Sequence, residues 1–298
     1  MRKSLFFLTL VGLASAAPAV QTQAKSYDDP KWREPIAPFR IAERLYYVGS
    51  RELAAFLIDS GEGLILLDAG VPEYAPRLLA NIRTLGFEPK QVKILLNGQA
   101  HLDHAGGLAA VKAATGAKML ASAADAKLLQ RGGKEDFAWG DDLAYPPIKV
   151  DGIVRDGQRV TLGKATLTAH LTPGHTKGCT TWTMPVSEQG RTMVAQFNCS
   201  ASIPGYKLLG TPAYPDMAAD YDRTFAKLRQ LPCDIFLGAH ASFFNLDAKR
   251  AQLGKAKVNP FVDPEGCRRY IARMETSYRE QLTRERDALA ASEGAGKP

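Results

Sequence analysis

Histidine is scarce in this 298-residue chain: there are five, against 38 basic and 31 acidic side chains. Cysteine is rarer still, at four, and no Cys-x-x-Cys pair occurs, which argues against a structural zinc knuckle. Beyond the N-terminus no uninterrupted apolar run is long enough for a membrane helix. Neither Ser-x-x-Lys nor Gly-x-Ser-x-Gly occurs, so a serine-nucleophile mechanism finds no support. The formal charge of +7 is modest and scattered, with no Lys/Arg stripe interleaved with aromatics, so nucleic acid is not an expected partner. What is there is an ordinary globular composition, 45% hydrophobic and 23% charged, with material for a sizeable core.

The N-terminus reads as a signal peptide over residues 1–16: Arg2-Lys3, an apolar stretch over 5–13, and the small-residue pattern Ala14-Ser15-Ala16. Removing Arg2 and Lys3 takes the charge from +7 to +5. The remainder, 17–298, is expected to be one domain, exported to a periplasm, free of the membrane after cleavage, and monomeric. Export changes the meaning of Cys179, Cys199, Cys233 and Cys267, which allow three pairings, or one bridge and two thiols. A Cys233–Cys267 bridge would clip the C-terminal helix to the core, contributing about 3–4 kcal/mol in the chain-entropy model. Cys179 is expected to pack as a small hydrophobe.

Along the chain, 26–38 is a polar, Pro-rich arm containing Trp32. Strands are predicted at 40–48, 53–59, 63–67, Val92–Leu96 and 118–121, with helices at 73–85, 107–114 and Ala123–Gln130. Residues 131–149 form a loop long enough to suggest a functional role, carrying Trp139 and Tyr145. Further strands follow at Arg159–Leu162, Ala165–Leu171, 180–185, 191–197 and 235–237, and a helix at 218–231. Pro264, behind an N-capping Asp263, opens a long helix to about residue 290, and the tail 293–298 should fray. Strands in runs, with helices between and after them, occur twice, before and after about residue 150. The pattern predicts an α/β fold of two mixed sheets face to face with helices outside.

Four of the five histidines stand at turns after apolar strands. Gln99-Ala-His101-Leu-Asp103-His104 follows Val92–Leu96, His175 lies in Thr172-Pro-Gly-His-Thr-Lys-Gly178, and His240 in Leu237-Gly-Ala-His. Imidazole nitrogen and carboxylate oxygen are zinc's usual non-thiol ligands, and strand ends hold ligands rigidly. An extended or tight-loop backbone would aim His101 and Asp103 one way and His104 to a neighbouring direction, enough to serve two ions. His170, inside a strand, reads as an ordinary structural histidine.

The His-x-Asp-His core, Pro-Gly-His-Thr and the final Gly-Ala-His resemble the metallo-β-lactamase superfamily. Pro38-Phe-Arg-Ile41 with Tyr46-Tyr-Val-Gly49, Gly174-His-Thr-Lys-Gly-Cys-Thr-Thr-Trp182, Ser202-Ile-Pro-Gly-Tyr206 and Leu231-Pro-Cys-Asp234 are similar to subclass B3, over roughly residues 32–282. The resemblance implies a four-layer αβ/βα sandwich and a Cys233–Cys267 disulfide. It implies one or two zinc ions, the first on Gln99, His101 and His175 and the second on Asp103, His104 and His240. Asp68 resembles the buried carboxylate that braces the metal loop, and Ser200 and Ser202 resemble contacts to a substrate carboxylate. Cys199 lies beside the place where a sister subclass has a thiolate ligand, and is read as a non-ligand.

The implied reaction is zinc-dependent hydrolysis of a β-lactam amide by metal-bound hydroxide, with Asp103 as both ligand and catalytic residue orienting the nucleophile. Gln99 departs from the family's usual histidine, although a variant subgroup shares the glutamine. A neutral amide is the weaker ligand, so the Asp103/His104/His240 site should fill first. Two other readings are a lactonase or thioesterase of the same fold, or a non-catalytic periplasmic zinc-binding protein. Lactonases and thioesterases of this fold usually carry a bridging aspartate where this chain reads Phe197-Asn-Cys-Ser200.

Overall fold

A computed structural model describes residues 29–295; the expected signal segment and the last three residues lie outside them. Seven strands form the first sheet in sequence order: β1 (Phe39–Ala42), β2 (Leu45–Tyr47), β3 (Phe56–Asp59), β4 (Leu64–Leu67), β5 (Val92–Leu96), β6 (Lys118–Ser122) and β7 (Gly152–Val154). The first four are antiparallel neighbours, and β4 to β7 run parallel. Parallel neighbours need crossovers, supplied by α1 (Ala75–Thr84), by α2 (Leu102–Ala105) with α3 (Leu108–Thr115), and by α4 (Ala123–Gln130).

Five strands form the second sheet, in the order β12 (Ile235–Gly238), β11 (Arg191–Asn198), β10 (Thr180–Glu188), β9 (Ala165–Leu171), β8 (Arg159–Leu162). Only β11 and β12 are parallel, joined through α5 (Met217–Leu228). The chain ends with α6 (Leu246–Gln252) and α7 (Pro264–Ala295). The architecture is the expected one: two mixed sheets flanked by helices, with the break between them at 155–158.

Period-two alternation decides the layers. On β3 and β4, Phe56, Ile58, Ile65 and Leu67 enter the core between the sheets, whereas Leu57, Leu64 and Leu66 point to a second core shared with Leu78 and Ile82 of α1 and Leu108 and Val111 of α3. Trp182, Met184, Leu167 and Phe197 answer from the second sheet. The rings of Phe56 and Phe197 meet edge-on across the sandwich at 5.1 Å.

Several elements differ from the sequence reading. The strand predicted at 40–48 is a hairpin, broken at Arg44, whose φ of 60° turns the chain. Pairing in the next strand starts at Phe56, because Leu53 bridges His240 instead. The last helix continues to Ala295, past the point where fraying was expected. Asp263 caps its start, accepting from the Gly266 N–H at 2.7 Å. Two disulfides are present. Cys233–Cys267 joins the approach to β12 to α7. Cys179–Cys199 joins the start of β10 to the end of β11, so Cys179 is not the isolated packing thiol of the sequence reading.

Candidate metal centre

The loop after β5 is fastened at nearly every peptide. Gly98 N–H donates to Asp68 Oδ1 at 2.7 Å, and the Gly98 carbonyl accepts from Thr180 N–H at 2.8 Å. The Asn97 carbonyl accepts from the Trp182 indole at 3.1 Å, and the Tyr145 hydroxyl donates to the Ala100 carbonyl. A side chain at 98 would put its Cβ 2.9 Å from Asp68 Oδ2, so glycine is required there. Asp68 itself sits at φ 61°, and burial holds its carboxyl well above the ordinary carboxylate range. Its own backbone ties in both directions, Asp68 N–H to the Leu96 carbonyl and Ala69 N–H to that of His104.

Then the backbone changes state. His101 is extended (φ −83°, ψ 159°) and caps α2, a single helical turn that carries Asp103 and His104. This helical turn stands where the sequence reading expected an extended or tight-loop backbone, and it divides the motif. His101 turns to His175, with ring centroids 4.9 Å apart, and His104 turns to His240, also at 4.9 Å. Asp103 Oδ2 lies 3.1 Å from His104 Nε2 and 3.4 Å from His240 Nε2, and those two nitrogens are 3.3 Å apart. These ligand atoms all fall within 4.8 Å of one another.

The charge states suit a cation. Burial would raise the Asp103 carboxyl, but His104 and His240 hold it well below its usual range. Burial keeps the His104 ring below its ordinary value. Burial, reinforced by His101, takes His175 down to about 3. Burial opposes a proton on His240, yet Asp103 and Glu52 push it up to about 9, a sign of the negative field around that ring. A divalent metal requires an anionic carboxylate and unprotonated imidazole lone pairs; Asp103 and His104 are in those forms, and an ion would displace the proton that His240 holds in its absence. The Asp103/His104/His240 triad therefore fits one zinc site in donor type, charge and convergence.

The other predicted ligands are arranged differently. His175 Nδ1 donates to the Ser202 carbonyl at 2.9 Å, which puts the neutral ring's lone pair on Nε2. Asp125 braces the His175 turn, accepting from the Gly178 N–H at 2.9 Å and the Thr176 hydroxyl at 3.0 Å; burial pushes its carboxyl up to about 6. Gln99 is fully buried, and neither amide atom has a hydrogen-bond partner among the described residues. An orphaned buried amide costs about 1–3 kcal/mol, which a metal ion accepted by its oxygen would offset.

Ser202 lines the cleft. Ser200 is buried behind it, its hydroxyl 3.0 Å from that of Ser202. His170 bonds to Thr183 at 2.8 Å, within its own sheet. The cleft holds about 170 Å³ and is walled by Trp32, Trp139, Leu143 and Pro204 above His101, Asp103, His175 and His240. Trp32 and Trp139 thus belong to the cleft, whereas Tyr145 is a buried anchor of the metal loop.

Three carboxylates beside the site have no sequence signal: Asp125, Asp136 and Glu52. Asp136 Oδ2 lies 3.7 Å from His101 Nε2, and Glu52 Oε1 lies 3.4 Å from His240 Nδ1. Glu52 arrives through backbone pairing, with Ala241 N–H to the Glu52 carbonyl at 2.7 Å and Ala54 N–H to the Ala239 carbonyl at 2.9 Å.

Known proteins share both fold and sequence with this chain. Residues 53–187 match the model of the metallo-β-lactamase superfamily. The structure of BJP-1, a subclass B3 metallo-β-lactamase of Bradyrhizobium japonicum, aligns with a TM-score of 0.83 and 39% identity, covering 87% of this chain and 98% of that one. Native FEZ-1 metallo-β-lactamase from Legionella gormanii aligns with a TM-score of 0.83 and 42% identity, over 85% and 98%. A hydroxyacylglutathione hydrolase of Rhodospirillum rubrum is 33% identical over 107 residues, 36% of this chain and 34% of that protein. The chain thus spans only about a third of that curated relative. The chain belongs to the metallo-β-lactamase superfamily and closely resembles its subclass B3 members. Fold and likeness support a metallo-hydrolase. No helix among the described residues is long and apolar enough to cross a membrane.

Proposed function

We propose that this protein hydrolyses the amide bond of β-lactam antibiotics in the periplasm, as an exported monomer. The observation that carries the proposal is the convergence of Asp103, His104 and His240, with Asp103 and His240 lining one cleft together with His101, His175 and Ser202 and His104 buried against them. Zinc would be held by Asp103, His104 and His240, and a second ion by Gln99, His101 and His175. Bound there, zinc supplies a Lewis acid that polarises a carbonyl and acidifies water to near neutral pH.

The chain's own groups do the rest. Asp103, anionic and at the cleft floor, orients the attacking water through its carboxylate. Ser202 presents a hydroxyl to the substrate's carboxylate, with Ser200 holding that hydroxyl from behind. Trp32 and Trp139 offer apolar walls that exclude bulk water from the reacting bond. The 1–16 signal pattern and two disulfides support export to an oxidising compartment.

The test is hydrolysis of a carbapenem and of nitrocefin by the zinc-loaded mature chain, repeated with chelator, beside an acyl-homoserine lactone and a glutathione thioester. Chelator-sensitive turnover of the β-lactams in preference to the other two is the expected result. Preference for the lactone or thioester would transfer the activity to that ester class. Zinc binding without turnover of any of them would make this a binding protein.

A further inference from the structure

Each candidate metal set has a carboxylate behind one of its histidines, on the ring nitrogen opposite the one left for a ligand. Asp136 behind His101 is the more deeply buried, with side-chain exposures of 3% and 7% for the pair. Its two oxygens have separate tasks. Oδ1 accepts from Ala138 N–H at 2.8 Å and Trp139 N–H at 3.0 Å, closing a turn that reciprocal Asp136–Gly140 backbone bonds of 3.0 Å complete. Oδ2 has no hydrogen-bond partner among the described residues and lies 3.7 Å from His101 Nε2. That is an ion-pair separation, longer than a hydrogen bond.

A neutral imidazole has one N–H. A buried carboxylate opposite Nε2 places the proton there and leaves the lone pair on Nδ1, the nitrogen then available to a metal. Charge makes this matter more at one set than the other. Asp103 brings a negative charge to its own triad, whereas Gln99, His101 and His175 bring none.

We propose that Asp136 is the positioning residue of the Gln99/His101/His175 set: it fixes His101 in the Nε2–H tautomer, supplies the negative charge that the set lacks, and links metal occupancy to the turn carrying Trp139. The inference rests on the reading that these three residues hold a metal. The tautomer part can be measured without one.

The variant is Asp136→Asn in the full mature chain. Its amide oxygen still accepts from Ala138 and Trp139, so the turn is kept, while an NH₂ replaces the oxygen facing His101. Long-range ¹H–¹⁵N spectra of the metal-free protein should show His101 as Nε2–H in the parent and shifted to Nδ1–H in the variant. Competitive cobalt titration should then show the weaker binding step falling ten- to a hundredfold and the stronger step changing less than twofold. Repeating both proteins in a Gln99→His background gives a weaker step strong enough to measure even if the parent takes up one ion.

An Nδ1–H tautomer in the parent, or one unchanged by the substitution, overturns the proposal. So do cobalt constants equal in parent and variant. One ion per chain in both parent and Gln99→His, with the tautomer shift present, overturns the metal reading of this set while leaving the tautomer role established. β-Lactam turnover enters none of these readouts.

Discussion

The two halves of the site use the same four-histidine inventory and differ in how they are completed. Asp103, His104 and His240 gather three ligand atoms and a negative charge in one spot, with burial, mutual contact and, for His240, Glu52 setting the protonation states. His101 and His175 meet ring to ring, and their third member is a buried, unpartnered amide whose set depends on a charge from outside, at Asp136. The difference shows that a metal motif in sequence is not one object. A single helical turn after His101 sends its members to different partners, 74 and 136 residues further along the chain. One half is self-sufficient in charge, and the other borrows it.

The largest expected effect comes from breaking the self-sufficient half. Asp103→Asn should weaken zinc at the His104/His240 pair by more than a hundredfold, beyond what loss of an outer carboxylate costs, and should abolish most β-lactam turnover; zinc content after dialysis and initial rates check it. Next, Gln99→His should remove the asymmetry by giving the poorer half a third imidazole, raising zinc per chain after dialysis towards two. Equal stoichiometry in both proteins would mean that the amide is not the weak point. A smaller effect is expected for Glu52→Gln, about tenfold on metal affinity at the Asp103 half, because Glu52 at 17% exposure is less buried than Asp136 and shares its oxygen with Ser242 at 2.5 Å.

The smallest effect lies outside both halves and sets the baseline. Burial would raise the Asp263 carboxyl, but Lys249 at 3.0 Å and the Gly266 N–H hold it below its usual range. A depressed folded-state pKa means that the stabilisation is present above the unfolded value of about 4 and is lost as pH falls through the folded one. Asp263→Asn keeps the helix cap and loses the charge. It should cost about 1 kcal/mol at pH 7, with the gap closing below about pH 4 in urea melts, and metal content unchanged.

Much of the fold was legible because its signals are local. Unbroken apolar runs such as Leu64–Leu67 announce strands buried on both faces, and Asp263-Pro264 announces a helix start. The metal motif was legible because its residue types are rare and placed at strand ends. The one-turn helix α2 was not, since four residues are too few for any periodicity to declare itself. Asp136 and Glu52 were not, since each is an ordinary acidic residue in a loop until the chain brings it to a ring 35 or 188 residues away. Nor was the Cys179–Cys199 pair, because four cysteines permit several pairings and only proximity selects among them.

By itself, then, the order of residues determined the layers, the strand ends and the donor types, because hydrophobic period, turn chemistry and side-chain identity are written within a few positions of one another. Only the tertiary structure decided which histidine faces which partner, and which carboxylate stands behind it. Those relations follow from the crossing of strands and loops distant in the chain, and an imidazole's protonated nitrogen is chosen by its neighbour in space.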